Sequence, residues 1–302
     1  MLLVDNAEVS LLGPQAWLPL LAAAMFSLGA MFLKRSNSWP VGVWRTTFLL
    51  NMSIAFVFIP SVLLGGELPP WTQLWQPLWI AVLFVVGQIA TIWALTRGDV
   101  SVAAPVLGLK IILVAVLAWA LTRSVLPPDL WAAAALATLG VILLNQGGSG
   151  KRDHVLLSVV CALISAGAFA LFDICVQEWR GDWGLGRLLP LVFLFSSVLS
   201  LGMIPLFEAP LREIPRPARR WLAAGCGLLA VQSLGIVFAV ALFGKAPIAN
   251  VFYSTRGLWG VLLAWQLGPW IGVVEIGRGG SAIWFRLTGA LLLLISVTLL
   301  IL

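Results

Sequence analysis

Residues 75–95 read WQPLWIAVLFVVGQIATIWAL, an apolar run without a charged side chain. A helix needs about 20 apolar residues to cross a hydrocarbon core about 30 Å thick. This stretch therefore predicts a membrane-spanning helix. The strands of a transmembrane barrel alternate in polarity and are only about 10 residues long, so the run also argues against a β-barrel.

The composition extends this prediction to the whole chain. Of 302 residues, 61% are hydrophobic and only 10% are charged, whereas soluble domains carry about 25% charged residues. Such a chain is predicted to be an integral membrane protein, and a nucleic-acid binder, a secreted disulfide scaffold and a disordered protein are excluded. The net charge of +6 comes from short clusters between apolar runs, which is typical of membrane orientation signals.

Ten apolar runs are long enough to suggest membrane helices, and short turn-rich loops separate them. The predicted fold is all-α, with ten transmembrane helices. Their approximate spans are 16–33, 41–64, 75–95, 100–121, 129–145, 155–177, 188–207, 221–242, 246–267 and 284–302.

The chain also contains a weak internal repeat. A 146-residue shift aligns 75–119 with 221–265 without a gap, with eight identities in 45 positions. Each repeat would hold five helices, and because five is odd the second copy starts on the opposite side of the membrane. We therefore predict two inverted repeats, residues 1–147 and 148–302, in one membrane domain, an arrangement found in many secondary transporters.

Lysine and arginine counts in the loops predict the orientation, because cytoplasmic loops are enriched in both. The loops on one predicted side of the membrane carry ten such residues, and the loops on the other side carry four. The side with ten is predicted to face the cytoplasm, which would place both termini outside a cytoplasmic (inner) membrane. The two groups are Lys34, Arg35, Arg97, Lys151, Arg152, Arg212, Arg216, Arg219, Arg220 and Arg278, against Arg123, Arg180, Arg187 and Lys245.

Two cations stand out because each lies about ten residues into its run. Lys110 and Arg256 are also counterparts under the 146-residue shift. A cation at the centre of a spanning helix costs roughly 2.5–3.5 kcal/mol on insertion scales. No acidic residue falls near the centre of any run, since Asp173 is placed near the far end of its own. The pair therefore predicts a bound anion, while pairing with backbone carbonyls is the structural alternative.

The predicted substrate-binding residues include polar and aromatic neighbours of these cations. Tyr253 either donates a hydrogen bond in a cavity or simply packs. The amide side chains of Asn250 and Gln88 either bridge helices or bind ligand. The tryptophans either line a cavity or contact lipid. The full predicted set is Lys110, Arg256, Tyr253, Asn250, Trp259, Gln88 and Trp93.

No pattern predicts an enzyme, a metal or a cofactor. His154 is the single histidine, so no Ser–His–Asp set can form away from it, and a zinc site would need further ligands that nothing around it supplies. The expected partners are a small-molecule or lipid anion as substrate and the surrounding membrane lipids.

Besides the two five-helix halves, the chain carries two short motifs, Gly98-Asp99-Val100-Ser101-Val102-Ala103-Ala104-Pro105 and Gly140-Val141-Ile142-Leu143-Leu144. With them the chain resembles the drug/metabolite transporter superfamily, in its ten-helix EamA-like branch. The resemblance implies a carrier for amino acids, metabolites, nucleotide sugars, organic phosphates or drugs. The sequence departs from that pattern where Arg123–Ser124 replaces a glycine–glutamate pair and where the charges place both termini outside.

Three functions are consistent with these observations. The leading hypothesis is a secondary transporter of a small organic anion or metabolite, working by alternating access around Lys110 and Arg256 near the midplane. The second is a flippase for an anionic lipid phosphate. The third is a non-transporting membrane scaffold, in which backbone carbonyls neutralise both cations.

Overall fold

The computed structural model of the protein describes residues 13–67, 71–96, 100–123, 125–144, 155–271 and 280–300. Within these ranges the chain forms twelve α-helices and four short 3₁₀ segments, and no β-strand. The boundary predicted between the repeats, at 147/148, lies outside the described residues, as do Arg97, Lys151, Arg152 and Arg278 of the orientation signal.

Helical segments occupy each of the ten predicted runs, and some runs hold two. The bounds are α1 Pro14–Ser36, α2 Val43–Phe58, α3 Trp75–Thr96, α4 Val100–Leu107, α5 Lys110–Thr122, α6 Pro128–Leu144, α7 Val155–Trp183, α8 Leu185–Ser200, α9 Arg216–Phe243, α10 Ala246–Ser254, α11 Arg256–Ile271 and α12 Gly280–Leu299. The 3₁₀ segments are Ile59–Leu64, Trp71–Gln73, Leu201–Leu206 and Leu211–Glu213.

Seven helical stretches in the described part of the chain are long and apolar enough to cross a membrane. The prediction of an all-helical membrane protein is therefore confirmed, while the count of ten spans stays a prediction. Helices α6 and α12 offer apolar stretches of fewer than 18 residues. The run predicted at 246–267 is divided between α10 and α11, and the run at 100–121 between α4 and α5.

Small residues let the main helix pairs approach closely. A Cβ atom at Gly29 of α1 would lie 3.2 Å from the carbonyl oxygen of Gly225 on α9. In the pair formed by α6 and α12, a Cβ at Gly289 would lie 2.7 Å from the carbonyl oxygen of Gly140. Backbone contact of this kind is how membrane helices gain packing energy without a hydrophobic driving force between them.

The halves exchange helices rather than packing as separate blocks. Helix α1 packs most extensively against α9, and α3 packs most extensively against α7. Both pairs therefore join an element from the first half of the chain to one from the second half. The largest apolar core lies between these pairs and includes the fully buried rings of Trp183, Phe58 and Phe193.

A side-chain cap ties the end of α9 to α7. The Arg180 guanidinium donates hydrogen bonds to the carbonyl oxygens of Ala241 at 2.6 Å and Leu242 at 2.7 Å. Gly244 follows in the left-handed region with φ 62°, where a glycine costs least. The last carbonyls of a helix lack partners within it, so Arg180 supplies them here.

Candidate substrate site

The side chain of Lys110, the first residue of α5, forms an ion pair with Asp173 of α7. Lys110 Nζ lies 2.8 Å from Asp173 Oδ2, and the two side chains are 18% and 5% exposed. Asn250 Nδ2 of α10 donates to the same carboxylate oxygen at 2.7 Å. The expectation that no acidic residue neutralises Lys110 is therefore wrong.

The error came from the placement of Asp173 near a helix end. The predicted run stopped at residue 177, but α7 continues to Trp183. Ten residues, or about 15 Å of helix at 1.5 Å per residue, therefore separate Asp173 from the end of α7. This depth matches the one predicted for Lys110, and it makes the buried pair possible.

Arg256 has a different environment, built from aromatic rings. Its guanidinium carbon lies 4.9 Å from the ring centroid of Phe26 and 4.8 Å from that of Tyr253. The two rings meet edge to face at 6.0 Å. Among the described residues, no carboxylate lies within 4.0 Å of the Arg256 guanidinium, the limit for an ion pair. Arg256 thus keeps its positive charge uncompensated by an acidic side chain.

Neighbouring polar groups fix the position of Arg256 and Tyr253. The hydroxyl of Ser27 on α1 donates to the backbone oxygen of Arg256 at 2.7 Å. The hydroxyl of Tyr253 donates to Gln232 Oε1 of α9 at 2.8 Å. Tyr253 therefore packs inside the protein and donates its hydroxyl hydrogen to another helix, while a hydrogen bond from it to a ligand in a cavity stays a prediction.

A tight turn immediately precedes Lys110 and separates α4 from α5. Leu109 N donates to Val106 O at 3.0 Å, a bond that spans three residues rather than four. Leu113 N then donates to Leu109 O at 3.0 Å, and regular helix resumes. Lys110 therefore lies at a point where a membrane helix is interrupted.

The same turn precedes Arg256, at the equivalent place in the second half of the chain. Thr255 N donates to Phe252 O at 3.2 Å, and Trp259 N donates to Thr255 O at 3.1 Å. All three residues are the counterparts of the turn residues before Lys110 under the 146-residue shift. The two cations thus start the second half of two similarly broken helices.

Gln88, Trp93 and Trp259 complete the predicted set, and of these Gln88 is bonded to α2 and not to the residues around Lys110 and Arg256. Gln88 exchanges hydrogen bonds of 2.9 Å with Asn51, which also donates to Ser200 Oγ at 2.7 Å. Gln88 therefore bridges helices α3 and α2. Trp93 and Trp259 are 40% and 36% exposed, which is compatible with both lipid contact and cavity lining. Sequence reasoning missed Asp173 and Phe26, because packing of other helices brings them to the cations.

A comparison with known protein families assigns the first half of the chain. The model of the EamA-like transporter family matches residues 14–146. These residues are similar to EamA-like transporters, and we refer to them as the EamA-like segment. The resemblance to the drug/metabolite transporter superfamily is confirmed by this match. The apolar helices make the protein a multi-pass membrane protein, and residues 14–146 of it are similar to EamA-like transporters.

Lys110 lies within the EamA-like segment, whereas Asp173, Asn250, Tyr253 and Arg256 lie outside it. One similar solved crystal structure covers 94% of this chain and 95% of its own, with a TM-score of 0.71 and 17% sequence identity. Its likeness to this protein shows the fold alone. No curated protein matches the chain.

Proposed function

We propose that the protein is a secondary transporter of a small organic anion across the cytoplasmic membrane. In this proposal, two inverted five-helix repeats, residues 1–147 and 148–302, alternate access to a midplane site that contains Lys110 and Arg256. The single observation that carries the proposal is the guanidinium of Arg256, which lies at a helix break without a carboxylate partner among the described residues.

The energetics of Arg256 favour an anionic ligand. A cation at mid-depth costs roughly 2.5–3.5 kcal/mol, and a cation–π contact returns about 0.5–2 kcal/mol. The rings of Phe26 and Tyr253 therefore offset much of the burial cost, but they leave the net positive charge in place. A carboxylate or phosphate would both neutralise that charge and accept two parallel hydrogen bonds from the guanidinium.

Two observations support the inverted repeat. Two hydrogen bonds at the turn before Lys110, donated by Leu109 N and Leu113 N, have counterparts donated by Thr255 N and Trp259 N under the 146-residue shift. The extensive packing of α1 on α9 also has its counterpart in the packing of α7 on α3, as expected when two related halves exchange equivalent helices. Broken helices at the centre of a repeat are common at the substrate and ion sites of transporters.

Lys110 has a conditional role in this proposal. In the structure Asp173 neutralises its ammonium group, so Lys110 binds substrate only after it leaves that carboxylate. Asp173 contacts α10 through Asn250, and Arg256 contacts α10 through Tyr253. Helix α10 therefore connects the two cations, and an anion between them would contact both halves of the chain.

Counterflow into proteoliposomes tests the proposal. We expect purified protein to exchange at least one of radiolabelled succinate, glutamate and glucose 6-phosphate. Arg256→Gln should weaken apparent affinity for that anion by about ten- to a hundred-fold, because a charge-assisted hydrogen bond contributes roughly 1.5–3 kcal/mol. The matched control is Arg123→Gln, which removes an exposed arginine in the turn after α5.

Two results would contradict the proposal. Equal loss of affinity in Arg256→Gln and Arg123→Gln would show that net charge, and not the site, matters. Failure of all three anions together with stoichiometric lipid phosphate in the purified protein would favour a flippase for an anionic lipid phosphate.

A further inference from the structure

The carboxylate of Asp173 is buried and bonded through only one of its oxygens. Asp173 is 4% exposed, and both Lys110 Nζ and Asn250 Nδ2 approach Oδ2. Among the described residues no donor bonds to Oδ1. The second oxygen is therefore the place on this side chain where a proton would bind without displacing an existing contact.

The elements packed against α7 place few other titratable groups near Asp173. Helices α3 and α4 carry none, α5 carries Lys110 alone, and α10 carries Tyr253. The arginines of α9 lie at its start and the arginine of α8 is its third residue. On α7 itself the nearest titratable neighbours are Cys175 and Glu178. The charge of Asp173 is thus balanced chiefly by Lys110.

Substrate binding would disturb that balance. An anion that draws Lys110 toward itself leaves the Asp173 carboxylate without its counter-charge at a buried position. A buried charge that loses its partner is strongly destabilised. Uptake of a proton removes the charge: a hydronium ion on the open side gives up its proton, and an O–H bond forms at Asp173 as the Lys110–Asp173 pair breaks.

We propose that Asp173 carries the coupling proton of the transport cycle, so that one proton moves with each organic anion. This inference rests on the proposed function. Lys110, Asp173 and Arg256 together carry one positive charge when the site is empty. A bound anion of net charge −1, such as glutamate among the probes, plus one proton on Asp173 leaves that total unchanged, so the empty and loaded sites would meet the same electrostatic cost when the protein reorients.

The test separates transport from coupling in the same proteoliposomes. The probe is whichever of succinate, glutamate and glucose 6-phosphate gives counterflow, with the membrane potential held at zero by potassium and valinomycin. An imposed pH gradient should drive accumulation of about tenfold per pH unit at one proton per anion. An internal pH dye should report proton entry with the anion.

Asp173→Asn keeps the shape of the side chain but cannot exchange a proton. We expect it to lose both accumulation and proton entry when each is compared with the counterflow that the variant keeps at equal pH. The matched control is Asp182→Asn, the same substitution at an exposed position of α7, which should accumulate like wild type. If Asp173→Asn is not monodisperse in detergent, Asp173→Ser takes its place.

The outcomes distinguish the two proposals. No counterflow of any probe by wild type would reject the proposed function. Counterflow by wild type without proton entry would overturn the coupling inference alone. Accumulation by the Asp173 variant equal to that of wild type would also overturn it, because the proton would then move through another group.

Discussion

Breaking the Lys110–Asp173 pair from the lysine side should be the most damaging single change near the site. Lys110→Met leaves the Asp173 carboxylate without its counter-charge at a position that is 4% exposed. Removal of one partner from a buried ion pair costs about 3–5 kcal/mol. The free energy of unfolding of a folded domain is only about 5–15 kcal/mol, so this loss is a large part of it. The ligand-free protein should therefore unfold at a clearly lower denaturant concentration.

The double variant Lys110→Met/Asp173→Asn should recover most of this loss. The two groups are then neutral, and replacing a buried ion pair with neutral groups of similar volume is often without cost. The coupling energy of the double-mutant cycle should thus be of the same order as the loss in Lys110→Met, because the two residues are in direct contact.

Titration with sodium dodecyl sulfate in mixed micelles, followed by tryptophan fluorescence, measures these stabilities. The chain has 16 tryptophans to report unfolding. Arg256→Gln serves as a contrast, because it leaves no described carboxylate without a partner and should keep or raise ligand-free stability. Additive effects of the Lys110 and Asp173 substitutions would refute the reasoning, since additivity would mean that the pair does not form in the folded protein.

Two further predictions concern packing and orientation. Gly140→Val should destabilise the protein by about 1–3 kcal/mol in the same titration, the usual cost of overpacking, since a Cβ there would lie 2.9 Å from the carbonyl oxygen of Gly289. Unchanged stability would show that α6 and α12 do not touch as described. Single cysteines at Asn6 and Ser149, in a background without native cysteines, should differ in whole cells: an impermeant thiol reagent labels Asn6→Cys only if the termini are outside, and labelling of Ser149→Cys alone would reverse the orientation.

The membrane helices were predictable because the length of an apolar run and its lack of charged residues can both be taken from the sequence alone. The interruptions of the helices before Lys110 and Arg256 were not predictable, because a single turn with hydrogen bonds from residue i to residue i−3 leaves the hydropathy of the run unchanged. The length of the apolar run also underestimated the length of α7. A helix of 29 residues exceeds the hydrocarbon thickness, and a tilted helix accommodates the excess.

The candidate site was predictable only in part. Depth within a run identified Lys110 and Arg256, since a cation at mid-depth is costly anywhere in a membrane protein. The partners of these cations depend on which helices meet. Asp173 reaches Lys110 because α7 packs on α5, and Phe26 reaches Arg256 because α1 packs on α10 and α11. A buried cation requires compensation, so a search for the acid nearest to mid-depth would have singled out Asp173.

The exchange of helices between the halves has a consequence for biogenesis. Helix α1 ends at Ser36, and its main partner α9 begins only at Arg216, late in synthesis. At about 5–20 residues per second, the ribosome needs roughly 10–40 s to supply that partner. During this interval the face of α1 around Gly29 meets lipid or an insertion factor in place of α9. Neither half can complete its native contacts alone, so the cell must hold an unfinished first half in the bilayer until the second arrives.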